Sequence, residues 1–211
     1  MVGVGRIGVL GGTFDPIHYG HLAAAEEARA KLSLREVIFV VAGLPPHKLD
    51  EEITSAEHRY AMVELAIASN PHFSASRIDI DRPGPSYTVD TIALLRQKWT
   101  EEIYFIMGMD SLMEIDTWHQ PQRLIQLCRL VAVERPSFTP DLERLEAAMP
   151  GITARTEIIE MPQMEISSTD LQRRVREGLP IKYQVPPEVE EYIYQHRLYL
   201  EKAKEVKGPC S

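Results

Sequence analysis

Short apolar segments recur along this chain and alternate with longer segments in which apolar residues follow helical spacing. The short segments are nearly continuous in Val, Ile, Leu and Phe; they are Arg6–Leu10, Val37–Val41, Ile103–Gly108 and Arg129–Glu134. Strands that are buried on both faces of a parallel sheet have this character. We therefore expect an α/β fold, a Rossmann-like doubly wound parallel sheet with further helices towards the C-terminus.

The helical segments carry their own start signals. Thr54 with Glu57 three residues later forms a capping box ahead of one apolar face. Pro186–Pro187 precedes the last helical face, as is typical of a helix start. Phe73–Asp79 is a weaker strand candidate, because its apolar residues alternate with polar ones.

Composition limits the class of protein. The 211 residues carry a net charge of −8 and no basic stripe, which argues against binding to nucleic acid or to an anionic membrane. No apolar run approaches the ~20 residues of a membrane helix. The start of the chain lacks signal-peptide character, and neither Cys128 nor Cys210 indicates a disulfide framework, so we expect a cytoplasmic protein. We expect one domain over 1–201 and a frayed tail over 202–211.

The loop after the first strand is the most informative stretch. Gly11 and Gly12 let the backbone approach a ligand, and the following helix N-terminus favours an anion. His18 and His21 are three residues apart, which places both imidazoles on one helical face beside that N-terminus. Such donors suit the charge on a transferring phosphoryl group, whereas the alternative is one capping and one incidental histidine. No Cys or His pattern completes a zinc set, so we assign no protein metal ligand.

Two motifs carry a family resemblance. GGTFDPIHYGH, residues 11–21, resembles the GTFDPxHxGH signature of the nucleotidyltransferase superfamily related in fold to class I aminoacyl-tRNA synthetases. ISSTDLQR, residues 166–173, resembles that superfamily's ISSTxxR motif, which binds the phosphates of ATP. The alternative for the second motif alone is a Ser/Thr helix cap with a surface arginine. The resemblance implies a nucleotidyltransferase fold, His18, His21 and Arg173 as catalytic residues, and ATP binding by Gly11, Gly12, Thr13, Phe14, Ser167, Ser168 and Thr169.

The middle of the chain is similar to the bacterial nicotinate-mononucleotide adenylyltransferase family. The similarity lies in Pro45-Pro46-His47-Lys48, in Ser86-Tyr87-Thr88 and in Gly108-Met109-Asp110 with Trp118. It implies that Trp118 stacks on the pyridine ring, that Tyr87, Thr88 and His119 border the nicotinate carboxylate, that His47 and Lys48 approach the acceptor phosphate, and that Gly108 and Asp110 contact the ATP ribose. The chain departs from the family at Ala42–Gly43, where asparagine is frequent, and at His119, where tyrosine is frequent.

The resemblance implies a reaction. ATP, brought with Mg²⁺, would give its adenylyl group to nicotinate mononucleotide, producing deamido-NAD and pyrophosphate in NAD biosynthesis. Sister enzymes that use nicotinamide mononucleotide or phosphopantetheine are the alternatives, and a non-catalytic nucleotide-binding module is a third class. The intact histidine pair with Arg173 favours an enzyme over such a module.

Overall fold

The computed structural model describes residues 5–48, 52–134, 141–162 and 164–200. Within them, one parallel sheet has the strand order β3-β2-β1-β4-β5-β6. The strands are β1 (Arg6–Gly12), β2 (Glu36–Val41), β3 (Phe73–Ser76), β4 (Glu102–Gly108), β5 (Arg129–Glu134) and β6 (Thr156–Glu160). This confirms the predicted doubly wound α/β fold. The tail and the 1–201 domain bounds stay predictions, because the chain after 200 lies outside the described residues.

Helices connect the strands and cover both faces of the sheet. They are α1 (Tyr19–Leu32), α2 (Ala56–Ile67), α3 (Thr88–Lys98), α4 (Met109–Met113), α5 (Pro121–Leu127), α6 (Leu142–Ala148), α7 (Ser168–Arg176) and α8 (Pro187–Gln195), with short 3₁₀ turns at Pro46–Lys48, Ile115–Thr117 and Thr153–Arg155. One apolar core lies under α1, α2, α7 and α8, and a second under α3 to α6. Across the described residues, no helix has both the length and the apolar character that a bilayer crossing requires.

β1 and β4 pair directly at the centre of the sheet, and from this pair the chain adds β2 and β3 on one side and β5 and β6 on the other. β1 therefore continues on one side to β2 and on the other to β4, and the loops after these strands turn away from each other. In open α/β sheets this arrangement leaves a crevice at the carboxyl ends of the strands. The predicted ligand loops all begin at that edge, because β1, β2 and β4 end at Gly12, Val41 and Gly108.

Several boundaries differ from the sequence prediction. β3 ends at Ser76 rather than Asp79, because a turn follows in which the Ile80 N–H donates to the Arg77 carbonyl at 2.8 Å. The cap of α2 is Ser55, whose hydroxyl accepts from the His58 N–H, so the predicted capping box from Thr54 is wrong. β6 and the helices α4, α5 and α6 were not predicted, since they are short and mix charged with apolar residues.

The loop after β2 packs closely at Gly43 against the backbone of Asp79 and Ile80. A Cβ added there would overlap the Asp79 carbonyl oxygen and lie 3.1 Å from the Ile80 Cα, both of which are backbone atoms. We expect Gly43→Ala to lower the free energy of unfolding by about 2–3 kcal/mol, as overpacking does. Urea unfolding measures this, with Gly108→Ala as the control because nothing lies within 4 Å of its Cβ position. Equal stability of the two variants would contradict the expectation.

Candidate active site

A cavity of 560 Å³ opens at the carboxyl ends of the central strands. Its walls come from the loop after β1, the loop after β2, the start of α3 and the segment after α4. The predicted site residues on its lining are Gly11, Gly12, Thr13, His47, Tyr87, Thr88, Trp118 and His119. The structure therefore brings part of the first motif and most of the acceptor set to one cavity.

The two histidines of the first motif contact each other at the start of α1. His18 is the N-cap residue, and its ring stacks on that of His21 with centroids 3.7 Å apart. The His18 backbone N–H points at His21 Nδ1 over 3.3 Å, so the second imidazole returns to cap the helix. Gly20 allows this arrangement, because a Cβ there would lie 3.0 Å from His18 Nδ1. Local backbone geometry thus fixes both rings.

The environment keeps His21 neutral. Burial lowers the pKa of His21 well below its usual value, and the neighbouring His18 lowers it further. A neutral imidazole whose Nδ1 accepts a hydrogen bond carries its proton on Nε2. The assignment of this proton follows from the hydrogen bond to Nδ1. His21 can therefore donate one hydrogen bond without adding a charge.

Asp15 ties the first motif to distant parts of the chain. Its buried carboxylate accepts from the Thr54 N–H at 3.0 Å and from the Tyr199 hydroxyl at 2.7 Å. Its backbone carbonyl accepts from Gln172 Nε2 at 2.6 Å, and the Ser168 hydroxyl donates to the next carbonyl, that of Pro16. The two motifs therefore touch, although the residues that join them are about 150 positions apart in the sequence.

The second motif opens α7. Ser167 caps the helix by accepting from the Asp170 N–H at 3.2 Å, and Thr169 is exposed. Arg173 lies on the outer face of α7, where Asp170 and Glu177 each hold its guanidinium at 2.6 Å. The hydrogen bond from Arg173 to Asp170 raises the pKa of the guanidinium. Sequence reasoning missed these two carboxylates, and the phosphate-binding role of this motif stays a prediction.

Aromatic rings frame the acceptor side of the cavity. Tyr87 is the N-cap of α3 and makes no side-chain capping bond, so the first N–H groups of this helix are left for another acceptor. Its ring stacks on His119 with centroids 4.3 Å apart, and Trp118 meets Phe105 edge-on at 6.2 Å. His119 therefore gives Tyr87 a flat ring to stack on, at the position where the nicotinate-mononucleotide adenylyltransferase family often has tyrosine.

A buried carboxylate that sequence reasoning missed supports this wall. Asp79 lines the cavity, with Thr91 Oγ1 2.7 Å and Arg82 Nε 2.9 Å from its Oδ1. Burial raises the pKa of Asp79, and the hydrogen bonds from Thr91 and Arg82 oppose that shift. Arg82 also donates to the Pro85 carbonyl at 2.9 Å, which fixes the loop before Tyr87. The only sign of Asp79 in the sequence was its place at the end of the weak strand candidate Phe73–Asp79.

The remaining predicted residues lie close to the same edge of the sheet. Gly108 ends β4 with open space around it, and Asp110 is exposed in the first turn of α4. Phe14 is buried behind Gly12, and its ring meets that of His21 edge-on at 5.1 Å. The Lys48 side chain lies outside the described part of the chain. Among the described residues, no group of three or more His, Cys, Asp or Glu could hold a metal ion.

The family assignment follows from comparison with known proteins. A family model described as cytidylyltransferase-like matches residues 9–174, so this chain belongs to the cytidylyltransferase-like nucleotidyltransferases. Relatives described as "probable nicotinate-nucleotide adenylyltransferase" are 50% identical over 201 residues in Moorella thermoacetica and 47% over 195 in Thermomicrobium roseum. Each alignment covers 92% of this chain, and 92% and 91% of the relatives. Within the class, the chain is a member of the nicotinate-nucleotide adenylyltransferase family.

Solved structures agree on the fold. The nicotinic acid mononucleotide adenylyltransferase of Plasmodium falciparum, complexed with NaAD, aligns with a TM-score of 0.75. That alignment covers 92% of this chain and 97% of the other at 21% sequence identity. A structure from Vibrio parahaemolyticus, described as a "putative nicotinate-nucleotide adenylyltransferase", aligns with a TM-score of 0.65 at 17% identity and covers 94% of this chain and 97% of the other. At such identities the likeness concerns the arrangement of the sheet and helices.

The lowered pKa of His21 predicts how stability depends on pH. The unfolded chain takes up a proton on this residue near pH 6.5, whereas the folded chain does so only at lower pH. Stability is therefore unaffected by His21 above that pH and falls as the pH decreases, by up to about 1.4 kcal/mol per pH unit. We expect His21→Asn to lose less stability than wild type between pH 7 and pH 5, measured by urea unfolding. Parallel losses in the two proteins would contradict a neutral His21.

Proposed function

We propose that this chain transfers the adenylyl group of ATP to nicotinate mononucleotide, giving deamido-NAD and pyrophosphate in NAD biosynthesis. The observation that carries the proposal is the shared cavity, which Gly12 and Thr13 of the nucleotide motif line together with Tyr87 and Trp118 of the acceptor set. The two substrates would meet where these walls face each other. The names of the relatives, at 47% and 50% identity, support the same reaction.

The reaction is a direct in-line displacement. A phosphate oxygen of the acceptor forms a bond to the α-phosphorus of ATP, and the bond from that phosphorus to the bridging oxygen breaks to release pyrophosphate. The attacking oxygen is already anionic, so no side chain has to remove a proton. Holding the two reactants in line can contribute roughly 7–11 kcal/mol to catalysis.

The histidine pair is our candidate for stabilising charge on the transferring group. His21 offers Nε2–H as a neutral donor, and His18 lies beside it at the N-terminal end of α1. A donor that is held in place before the reaction loses little energy to reorganisation, and one such donor is typically worth about 3–4 kcal/mol. Two stacked rings at a helix N-terminus therefore suit this task.

The leaving pyrophosphate would be bound by the start of α7. The amides near Ser167, Ser168 and Thr169 lie at a helix N-terminus, which favours an anion. Arg173 would join them by exchanging Asp170 and Glu177 for phosphate oxygens. Mg²⁺ would come with ATP, held mostly by phosphate oxygens and water, because this ion keeps several of its waters when it binds.

The acceptor ring would lie between Trp118 and the start of α3. The free N–H groups at Thr88 and the next residue would bind the nicotinate carboxylate. A carboxylate accepts such hydrogen bonds with both oxygens, whereas the amide of nicotinamide offers one oxygen and an NH₂ group that would face donors. His47 lines the same cavity and would approach the acceptor phosphate, with Lys48 nearby.

Acceptor choice is the first test. Purified protein with ATP and Mg²⁺ should release pyrophosphate at least ~100-fold faster with nicotinate mononucleotide than with nicotinamide mononucleotide, because the amide leaves a donor unpaired. Phosphopantetheine should give no release. Preference for another acceptor would refute the role given to Tyr87–Thr88 and Trp118. No release with any of the three would favour a nucleotide-binding module.

Replacement of His21 tests the mechanism. We expect His21→Ala to lower kcat by about 100- to 1,000-fold, as loss of a preorganised donor does, with smaller changes in KM. Steady-state pyrophosphate release measures both constants, and circular dichroism checks the fold. His72→Ala is the matched control, because His72 is exposed, directly precedes β3 and is not among the residues that line the cavity. A folded His21→Ala enzyme with the activity of wild type would refute this mechanism.

A further inference from the structure

Arg59 is a buried charge in the first turn of α2. Its side chain has 0% exposure and is the largest of the fully buried side chains. It follows Ser55, the cap of α2, by four residues and precedes Met62, so it occupies the helical face that packs on the sheet. Burial lowers the pKa of Arg59, and the nearby Asp15 carboxylate opposes that shift. A cation in such a place requires partners that compensate for lost water.

The partners of Arg59 are backbone carbonyls of the loops that line the cavity. Nη1 donates to the Thr13 carbonyl at 2.8 Å and to the Ala42 carbonyl at 2.7 Å. Nη2 donates to the Gly43 carbonyl at 3.2 Å, and Nε to the Thr54 carbonyl at 2.8 Å. One guanidinium thus joins the loop after β1, the beginning of the loop after β2 and the end of that second loop.

These loops contribute different parts of the cavity wall. Thr13 belongs to the nucleotide motif, and Ala42 begins the segment that carries His47. The ladder between β1 and β2 ends where the Ala42 N–H donates to the Gly12 carbonyl at 2.9 Å. Beyond that point Arg59 holds the two loops at a fixed separation, because its planar guanidinium has donors at set angles.

We propose that Arg59 is a positioning residue for adenylyl transfer, which sets the distance between the nucleotide-side loop at Thr13 and the acceptor-side loop at Ala42–Gly43. It acts through these carbonyls and does not itself touch substrate. The inference rests on the proposed function. It adds that the alignment of the two substrates depends on a single side chain of α2, a helix that contributes no residue to the cavity lining.

The test uses two conservative substitutions. Arg59→Lys keeps the charge but offers one nitrogen, which cannot reach all four carbonyls, and Arg59→Gln keeps a planar donor without charge. Because small misplacements of reactants reduce the rate strongly, we expect kcat to fall on the order of 100-fold in both variants, with KM changing much less. Steady-state pyrophosphate release, assayed at a temperature where each variant is folded, measures the two constants.

Arg155 provides a matched control at the opposite edge of the sheet. Its Nε and Nη2 donate to the carbonyls of Ile125 and Gln126 at 2.9 and 3.3 Å, so it also binds backbone oxygens. It precedes β6 and lies far from the carboxyl ends of the strands. We expect Arg155→Lys to keep kcat within about twofold of wild type even where its melting temperature falls, because it holds no loop of the cavity.

Hydrogen exchange without substrate separates this inference from the proposed reaction. In the Arg59 variants, amides of residues 11–18 and 42–47 should exchange faster, while those of residues 125–128 and 152–155, which surround Arg155, stay unchanged; Arg155→Lys should show the reverse. A wild-type protein without turnover would refute the proposed reaction, and the exchange data would then decide the role of Arg59. The inference is wrong if folded Arg59 variants keep the wild-type kcat and exchange pattern, or if neither substitution yields a folded protein.

Discussion

The arrangement of the cavity depends on the hydrogen bonds from the buried guanidinium of Arg59 to backbone carbonyls. A charge removed from water is tolerated only where polar groups surround it, and here carbonyls from the loops after β1 and β2 do so. Neither loop can shift without leaving part of that charge unsolvated. Because Arg59 needs these carbonyls around it, it restrains the positions of the two loops that form the cavity walls. Both loops start from the sheet, which is rigid.

The proposed substrates are anions, although the protein itself is acidic. Arg173 forms ion pairs with Asp170 and Glu177, and the guanidinium of Arg59 donates its hydrogen bonds to backbone carbonyls. In the proposed site the N-termini of α1 and α7 and the neutral His21 imidazole would meet the phosphates with partial charges in fixed directions, and Arg173 would join them on exchanging its carboxylate partners. With a net charge of −8, the chain has little general attraction for polyanions. Recognition in the proposed function would therefore depend on the placement of a few charged groups and dipoles, which favours small phosphorylated molecules over nucleic acid.

The sequence was sufficient for the central strands, because a continuous apolar segment has few stable alternatives to a doubly covered parallel strand. It also placed the acceptor set at the carboxyl ends of the strands, and five of its members, His47, Tyr87, Thr88, Trp118 and His119, line the cavity, while their contacts with an acceptor stay a prediction. The sequence did not predict β6, because its Glu residues hide the apolar pattern of an edge strand. It also did not predict the burial of Arg59, because a charged residue is rarely expected on an apolar helical face. It also missed the carboxylates around Arg173 and the Tyr87–His119 stack, because side-chain pairing depends on rotamers that no spacing rule specifies.

The hydrogen bond from Tyr199 to Asp15 spans 184 positions and joins the last described residues to the histidine motif. During synthesis, β1 and its loop leave the ribosome well before Tyr199, the partner of this carboxylate, is made. A nascent chain can therefore build most of its sheet while Asp15 still lacks one of its two donors. The histidine loop reaches its final form only after the chain has been made past Tyr199, so the order in which the ribosome delivers the chain sets the moment at which the site is complete.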